Sequence, residues 1–331
     1  MAKTIFITGG SGYIGSVIVE YAVAQGYSVN ALSRSESNDT KLRTLGANPV
    51  RGDIKSLDLL TNEASKADVV ISIADSLAGN FDISQDERWA INFAAHDALV
   101  EGIKGTNKPL LITSGALNAM PRPDDEETDE TSPGWPEGHP FSRGFESNNK
   151  RYTDQGIRVC YVRLAPYVYG RGGSGVKLFM DMWGPKGAGG FVKPGTALST
   201  TVHVEDAARL YLLIAEKGKG GEIYNATSET SVAQKSIAEA ICKTLRIPCK
   251  ELELEDAKAL MGDFLAMFLT LKCRAVSKKA MEELGWSIQA ERGILEEIES
   301  GSYADLEKQS KVSTFESKSH DGFVKQAAGG A

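Results

Sequence analysis

A doubly wound parallel α/β sheet is the fold this sequence predicts, and three observations carry the prediction. The chain opens with Thr4-Ile5-Phe6-Ile7, a short apolar, β-branched run. Thr8-Gly9-Gly10-Ser11-Gly12-Tyr13-Ile14-Gly15 follows, and then a helical stretch, Ser16–Gln25, stopped by Gly26. Further strand and helix signals alternate at the spacing of βαβ units. Ala67–Ala74 is continuously apolar, as a parallel strand covered on both faces requires.

The glycine stretch has the context of a dinucleotide site. Its glycines permit a tight turn and let backbone approach a pyrophosphate, and Gly15 lets helix and strand pack closely. The helix N-terminus then offers free N–H groups and a positive dipole end to phosphates.

The later elements follow in order. Ser28–Leu32 is the second strand, Asp39–Leu45 a short helix, Asn48–Ile54 the third strand and its end, and Ser56–Leu60 opens the next helix. Asp82–Gly105 reads as a long helix and Leu111–Gly115 as the fifth strand. Pro121–Glu130 is an acidic, proline-punctuated surface loop. Val176–Met182 is an apolar helix. Trp183–Gly195, rich in Gly and Pro, reads as a mobile loop able to lid a cleft. Val204–Ala215 and Glu222–Ala226 return to the main sheet. Ser231–Leu245, Asp256–Leu271, Ser277–Leu284 and Ala290–Ser300 are helices. This divides the chain into a dinucleotide-binding domain, 1–169 with 202–226 returning to it, and a smaller, mostly helical substrate lobe, 170–201 and 227–304. A polar tail, 305–331, is expected to be disordered or draped on the surface.

Composition bounds the function. The hydrophobic content of 41% suits a sizeable core, and the net charge of −7 argues against nucleic acid or an anionic membrane as partner. Cys160, Cys242, Cys249 and Cys273 lack metal-ligand spacing, so no metal is expected; they read as reduced thiols of a cytoplasmic protein. Neither a signal-peptide pattern nor a membrane-spanning stretch is seen. The expected partner is a small-molecule substrate.

The second strand ends in Ser33-Arg34-Ser35, where an acid would bond a ribose 2′-OH and select NAD. Arg34 pairs instead with a 2′-phosphate and stacks on adenine, which selects NADP over NAD. Glu36 is the nearest acid.

Thr8–Gly15, Gly52-Asp53-Ile54, Ile73-Ala74, Leu111–Gly115, Val162–Gly170, Val202–Ala208 and Glu283-Leu284-Gly285-Trp286 together carry a resemblance. The chain resembles the extended and atypical short-chain dehydrogenase/reductases, the NAD(P)-dependent epimerase/dehydratase-like group. The resemblance implies a Rossmann-type fold and a homodimer. It implies cofactor contacts by Gly9, Gly12, Tyr13, Ile14 and Gly15, with Asp53 and Ile54 by the adenine, Ala74 by the nicotinamide ribose and Pro166 by the nicotinamide. Asn92 falls where the group often has an asparagine.

The group also implies a Tyr-x-x-x-Lys pair on one helix face, the lysine lowering the tyrosine pKa for proton transfer. Here His139-Pro140-Phe141-Ser142-Arg143-Gly144-Phe145-Glu146 stands in its place. One alignment sets Phe141 and Phe145 at the pair, and a shift by one sets Ser142 and Glu146 there. Lys150 and Tyr152 have the wrong spacing and read as outer-face residues. Replacement acids are, in order, Tyr167, Ser114 and His139, with Glu146 a general base under the shifted alignment. His203 reads as a core or capping residue, and Trp135 and His139 as loop anchors beside the site's mouth. Phe179, Met182, Trp183 and Phe191 are candidates for an apolar cleft wall. The expected function is NADP(H)-dependent oxidoreduction of an apolar carbonyl compound. The alternatives are a non-redox isomerase or dehydratase, and an NADP-sensing protein without catalysis.

Overall fold

The structure, a computed structural model, describes residues 2–77, 83–136, 139 and 144–306. Phe141, Ser142, Arg143 and the tail from 307 onward lie outside them, so both alignments of the Tyr-x-x-x-Lys pair keep a member outside the described residues. The chain divides into two compact units. One is residues 1–168, 200–230 and 273–290; the other is 169–199, 231–272 and 291–331.

The first unit is built on alternating strands and helices: β1 (Thr4–Thr8), α1 (Tyr13–Ala24), β2 (Ser28–Ser33), α2 (Glu36–Thr44), β3 (Asn48–Arg51) and α3 (Leu57–Lys66). Then come β4 (Val69–Ser72), α4 (Gln85–Ile103), β5 (Pro109–Gly115), α5 (Asn149–Thr153), β6 (Arg158–Leu164) and β7 (Tyr167–Tyr169), at whose end the chain leaves the unit. It returns for β10 (Thr201–His203), α7 (Val204–Lys217), β11 (Ile223–Ala226) and α11 (Lys278–Leu284).

Seven strands form one parallel sheet in the order β11-β6-β5-β4-β1-β2-β3. The order reverses beside β1, and that switch point opens a crevice at the carboxyl ends of the strands. Alternation sorts the side chains into two cores. Ile5, Ile7, Ile71, Leu111 and Val162 pack with α1 and α7, whereas Phe6, Val70, Leu110, Ile112 and Tyr161 pack with α3 and α4. Burial on both faces explains why β4 reads as an unbroken apolar run.

Several sequence expectations are corrected. Helix α2 starts earlier than Asp39, because Ser35 caps it by accepting a hydrogen bond from Asn38 N–H at 3.3 Å. The acidic loop is not simply solvated. Thr128 is buried and exchanges backbone hydrogen bonds with Arg274 and Val276, and Glu130 Oε1 accepts from Asn225 N–H at 2.8 Å. Tyr152 is not on an outer face: it is 1% exposed and donates to Asp97 Oδ1 at 2.7 Å. His203, in contrast, caps α7 as expected, its Nδ1 accepting from Glu205 N–H at 3.3 Å.

The second unit comprises α6 (Ser174–Trp183), β8 (Gly189–Val192), β9 (Leu198–Ser199), β12 (Val232–Ala233), α8 (Gln234–Leu245) and β13 (Cys249–Leu252), with α9 (Leu254–Met261), α10 (Asp263–Phe268) and α12 (Ile294–Ser300). The stretch expected to be a mobile lid contains β8, which pairs in parallel with β13. Gly189 and Gly190 are what allow it, since a Cβ at 189 would overlap Trp183 and one at 190 would overlap the Lys250 carbonyl. Phe179, Trp183 and Phe191 are buried in this unit's own core, with the first two rings 4.9 Å apart. Gly262, at φ +83°, breaks the expected helix Asp256–Leu271 in two and leaves Phe264 63% exposed. The glycine loop after Gly170 is pinned: Gly170 N–H donates to Tyr303 Oη at 2.9 Å and Gly172 N–H to Ser302 Oγ at 2.8 Å.

Asp206, fully buried on α7, ties down the chain after α11. Its carboxylate accepts from Gln289 N–H at 2.8 Å and Ala290 N–H at 3.1 Å and pairs with Arg209, while its carbonyl accepts from Trp286 Nε1. Asp206→Ala strands the Gln289 and Ala290 N–H groups and the Arg209 guanidinium, while the Trp286 bond, made to the backbone, is kept. Each unsatisfied buried donor costs roughly 1–3 kcal/mol, so the expected loss is about 3 kcal/mol in urea unfolding. A loss below about 1 kcal/mol would show that the anchor carries no weight.

Candidate active site

The turn after β1 is closed by its own backbone. Gly9 takes φ +76°, and Gly12 N–H donates to its carbonyl at 3.0 Å. A Cβ at Gly15 would overlap that same carbonyl oxygen, and one at Gly9 would sit 2.9 Å from Ala74 N. Ala74 N–H in turn donates to Thr8 Oγ1 at 3.3 Å. The glycines therefore do two things: they bring the N-terminus of α1 to the crevice, and they let the segment after β4 lie against the turn.

These elements enclose a cavity of about 520 Å³, within the usual range for small-molecule sites. Gly9, Gly12, Tyr13, Ile14 and Gly15 line one side, Arg34, Asp53 and Ile54 another, and Ala74 a third. Leu32, Asn38, Lys55, Asp75, Ile83 and Ile91 are also part of the wall. Asp53 accepts from Lys55 N–H at 2.8 Å and from Ser56 Oγ at 3.2 Å. Arg34 stands at the rim, on the wall, while Arg51 is paired with Asp39. Pro166, Ser114, Tyr167 and His139 are not among the residues lining this cavity.

Asp75 was not foreseen. Its carboxylate, in the cavity wall, accepts from Arg88 Nε at 3.0 Å, Asn92 Nδ2 at 3.0 Å and Leu77 N–H at 2.9 Å. Asn92 Oδ1 accepts from Ser76 N–H at 3.1 Å. Burial raises the Asp75 pKa, but Arg88 and these donors outweigh it, and the carboxyl sits below its ordinary range. Asn92 thus holds the segment after β4 against the first turns of α4.

Beyond the cavity, Ser114 is the last residue but one of β5. Its hydroxyl donates to Glu146 Oε1 at 2.7 Å and accepts from Asn118 Nδ2 at 2.8 Å. Arg163 grips the same carboxylate with Nε at 2.8 Å and Nη2 at 2.6 Å. The pair is buried, with side-chain exposures of 6% for Arg163 and 14% for Glu146. A charge in the middle of Val162-Arg163-Leu164, a strand covered on both faces, demands a buried carboxylate partner. That signal was present in the sequence.

Tyr167 is 1% exposed, and burial drives its phenol well above the ordinary tyrosine range. His139 stacks on Trp135 with centroids 3.9 Å apart, and Trp135 Nε1 donates to the Leu117 carbonyl at 2.7 Å. Phe145, beside Glu146, packs edge-on against His96 at 4.9 Å and Trp89 at 5.0 Å.

Residues 5–227 match the model of the NAD dependent epimerase/dehydratase family. The chain belongs to this family. Among its relatives is Uncharacterized protein YLL056C of Saccharomyces cerevisiae, 34% identical over 89% of this chain and 97% of that one. Another is the 4-hydroxy-2-methyl-3-oxo-4-farnesyl-3,4-dihydroquinoline-1-oxide ketoreductase of Stigmatella aurantiaca, 26% identical over 82% of this chain and 83% of that one. In fold it matches a dTDP-glucose 4,6-dehydratase of Streptomyces venezuelae solved with NAD bound, at TM-score 0.73 and 18% identity, covering 93% of this chain and 98% of that one. The family binds a nicotinamide dinucleotide. Among the described residues, no helix is long and apolar enough to cross a membrane.

His96 is buried beneath Phe145, and desolvation lowers its pKa from 6.5 to about 4, against the weaker upward pull of Asp97 and Asp75. The folded state then binds fewer protons than the unfolded state between these values, so stability rises with pH across that window and is flat above it. Unfolding midpoints from pH 4 to 7.5 should show a loss of about 3 kcal/mol on the acid side, absent in His96→Gln. An identical acid slope in the variant would assign it to other groups.

Proposed function

We propose that this protein is an NADP(H)-dependent oxidoreductase acting on an apolar, carbonyl-bearing small molecule or the corresponding alcohol. The observation that carries the reading is the cavity itself: a closed glycine turn at a helix N-terminus on one side, and Arg34 rather than an acid at the end of β2 on another. The cradle suits a dinucleotide, because its glycines let the N-terminus of α1 face a cavity of about 520 Å³. Gly9, Gly12, Tyr13, Ile14 and Gly15 would hold the pyrophosphate, Asp53 and Ile54 the adenine, Arg34 the 2′-phosphate, Ala74 the nicotinamide ribose and Pro166 the nicotinamide. Bound there, the cofactor supplies or accepts hydride.

The ketoreductase relative supports a ketone-bearing substrate with apolar bulk. The buried positions of Phe179, Trp183 and Phe191 give that idea no further help, since they fill the core of their own unit. For the proton, Ser114 is favoured over Tyr167 and His139. Tyr167 is enclosed and its phenol is held protonated by burial; His139 is committed to the Trp135 stack.

Fluorescence titration tests the cofactor assignment. Wild type should bind NADPH more tightly than NADH. Arg34→Ala should weaken NADPH by about 10- to 100-fold, the worth of a charge-assisted contact, and leave NADH nearly unchanged. Equal binding of both cofactors by wild type would overturn the NADP assignment.

A further inference from the structure

Strand register lines up a polar row at the carboxyl edge of the sheet. Ser114 is opposite Arg163, and Arg163 is opposite Asn225, all on the face that lower down carries Ile112, Tyr161 and Ile223. On the other side of β5, Ser72 is opposite Ile112, and the chain runs on from β4 to Ala74 in the cavity wall. The row and the Ala74 wall of the dinucleotide cavity therefore follow from the carboxyl ends of two neighbouring strands, β5 and β4.

The hydrogen bonds within this row have a direction. Glu146 is an acceptor at both oxygens, because Arg163, Asn118 and Ser114 all donate to it. The Ser114 proton is therefore turned toward Glu146, and Asn118 fills one of the two hydroxyl lone pairs. One lone pair on Ser114 Oγ remains, and it suits an incoming O–H donor. A serine set this way accepts a proton from an alcohol; it does not offer one to a ketone. Arg163 Nη1, also buried, has no hydrogen-bond partner among the described residues.

We infer that Glu146 is the proton acceptor of this site, working through the Ser114 hydroxyl, with Arg163 as the residue that positions its carboxylate. The inference rests on the oxidoreductase reading above. In alcohol oxidation, for which a bound oxidised nicotinamide would take the carbinol hydride, the alcohol O–H proton passes to Ser114 Oγ. The proton already on Ser114 passes to Glu146, which becomes a neutral carboxylic acid, and the carbonyl product forms. Reduction is the reverse and starts from protonated Glu146. Ser114 touches the reacting oxygen; Glu146 and Arg163 act through it.

The test uses the full chain, NADP⁺ or NADPH, and matched aryl ketones and secondary aryl alcohols as probes. Hydride-transfer rates are read in single turnovers across pH. In wild type, oxidation should rise with pH and reduction should fall, through one ionisation. Among the described residues, Arg163 and Tyr161 are charged or titratable groups that face Glu146. Ser114→Ala leaves the Glu146–Arg163 pair in place. It should slow transfer by about 10²- to 10⁴-fold and flatten the pH dependence, with NADPH affinity unchanged. Glu146→Gln should do the same; if stranding Arg163 prevents it from folding, Ser114→Ala alone decides. A Ser114→Ala enzyme that keeps the wild-type rate and profile overturns the relay while leaving the oxidoreductase reading intact. If wild type binds NADPH yet transfers hydride to or from none of the probes, the oxidoreductase reading falls and the relay falls with it.

Discussion

The carbonyl oxygen of Gly9 leaves room at residue 15 for a hydrogen and for nothing larger. That close approach sets how steeply the chain turns from β1 into α1, and so where the first N–H groups of the helix point. Gly9, itself without a Cβ, lies against Ala74, which fixes the segment after β4, and through Asp75 and Asn92 the first turns of α4. Two close backbone approaches at one turn thus order three walls of the same cavity. Sequence elsewhere in the unit serves to keep the strands that carry those walls parallel and dry.

The same sheet changes character along its length. At mid-strand, alternate side chains are apolar on both faces; at the carboxyl edge the face toward α4 turns polar at Ser114, Arg163 and Asn225. Burying a guanidinium there is tolerable only because a carboxylate meets it with bidentate geometry and two further donors complete its shell. The aromatic packing of Phe145 on His96 and Trp89 holds the turn that delivers that carboxylate. Hydrophobic packing and polar chemistry are coupled at this point: the aromatic cluster supplies position, and the ion pair supplies orientation.

Local periodicity made the main sheet legible. β1, β4 and β5 are visible because each carries apolar residues on both faces and is bounded by turn residues, and the glycine turn marks the start of α1. What stayed hidden depended on partners distant in sequence. Asp75 reads as an ordinary polar loop residue until Arg88 and Asn92 are brought to it. Tyr152 was read outward because a five-residue helix has too little pattern to show its buried face. β8 and β13 were missed because Gly-rich and charged residues conceal strand character that pairing alone enforces. Asp256–Leu271 had a good helical stripe, but one glycine at positive φ overrode it. Arg163 marked the second centre, and only the fold could say which acid answers it.

The path of the chain through the two units has a consequence of its own. It leaves the first unit after Val168 and re-enters it twice, so each unit is assembled from three separate stretches. Neither unit exists as one continuous piece of gene. A truncation at either end, or a single cut, removes part of a unit and never a whole one, and exchange of one unit between relatives by a single crossover is excluded. Such a protein diversifies by substitution inside its interwoven segments, and its two units must travel through evolution as one inheritance.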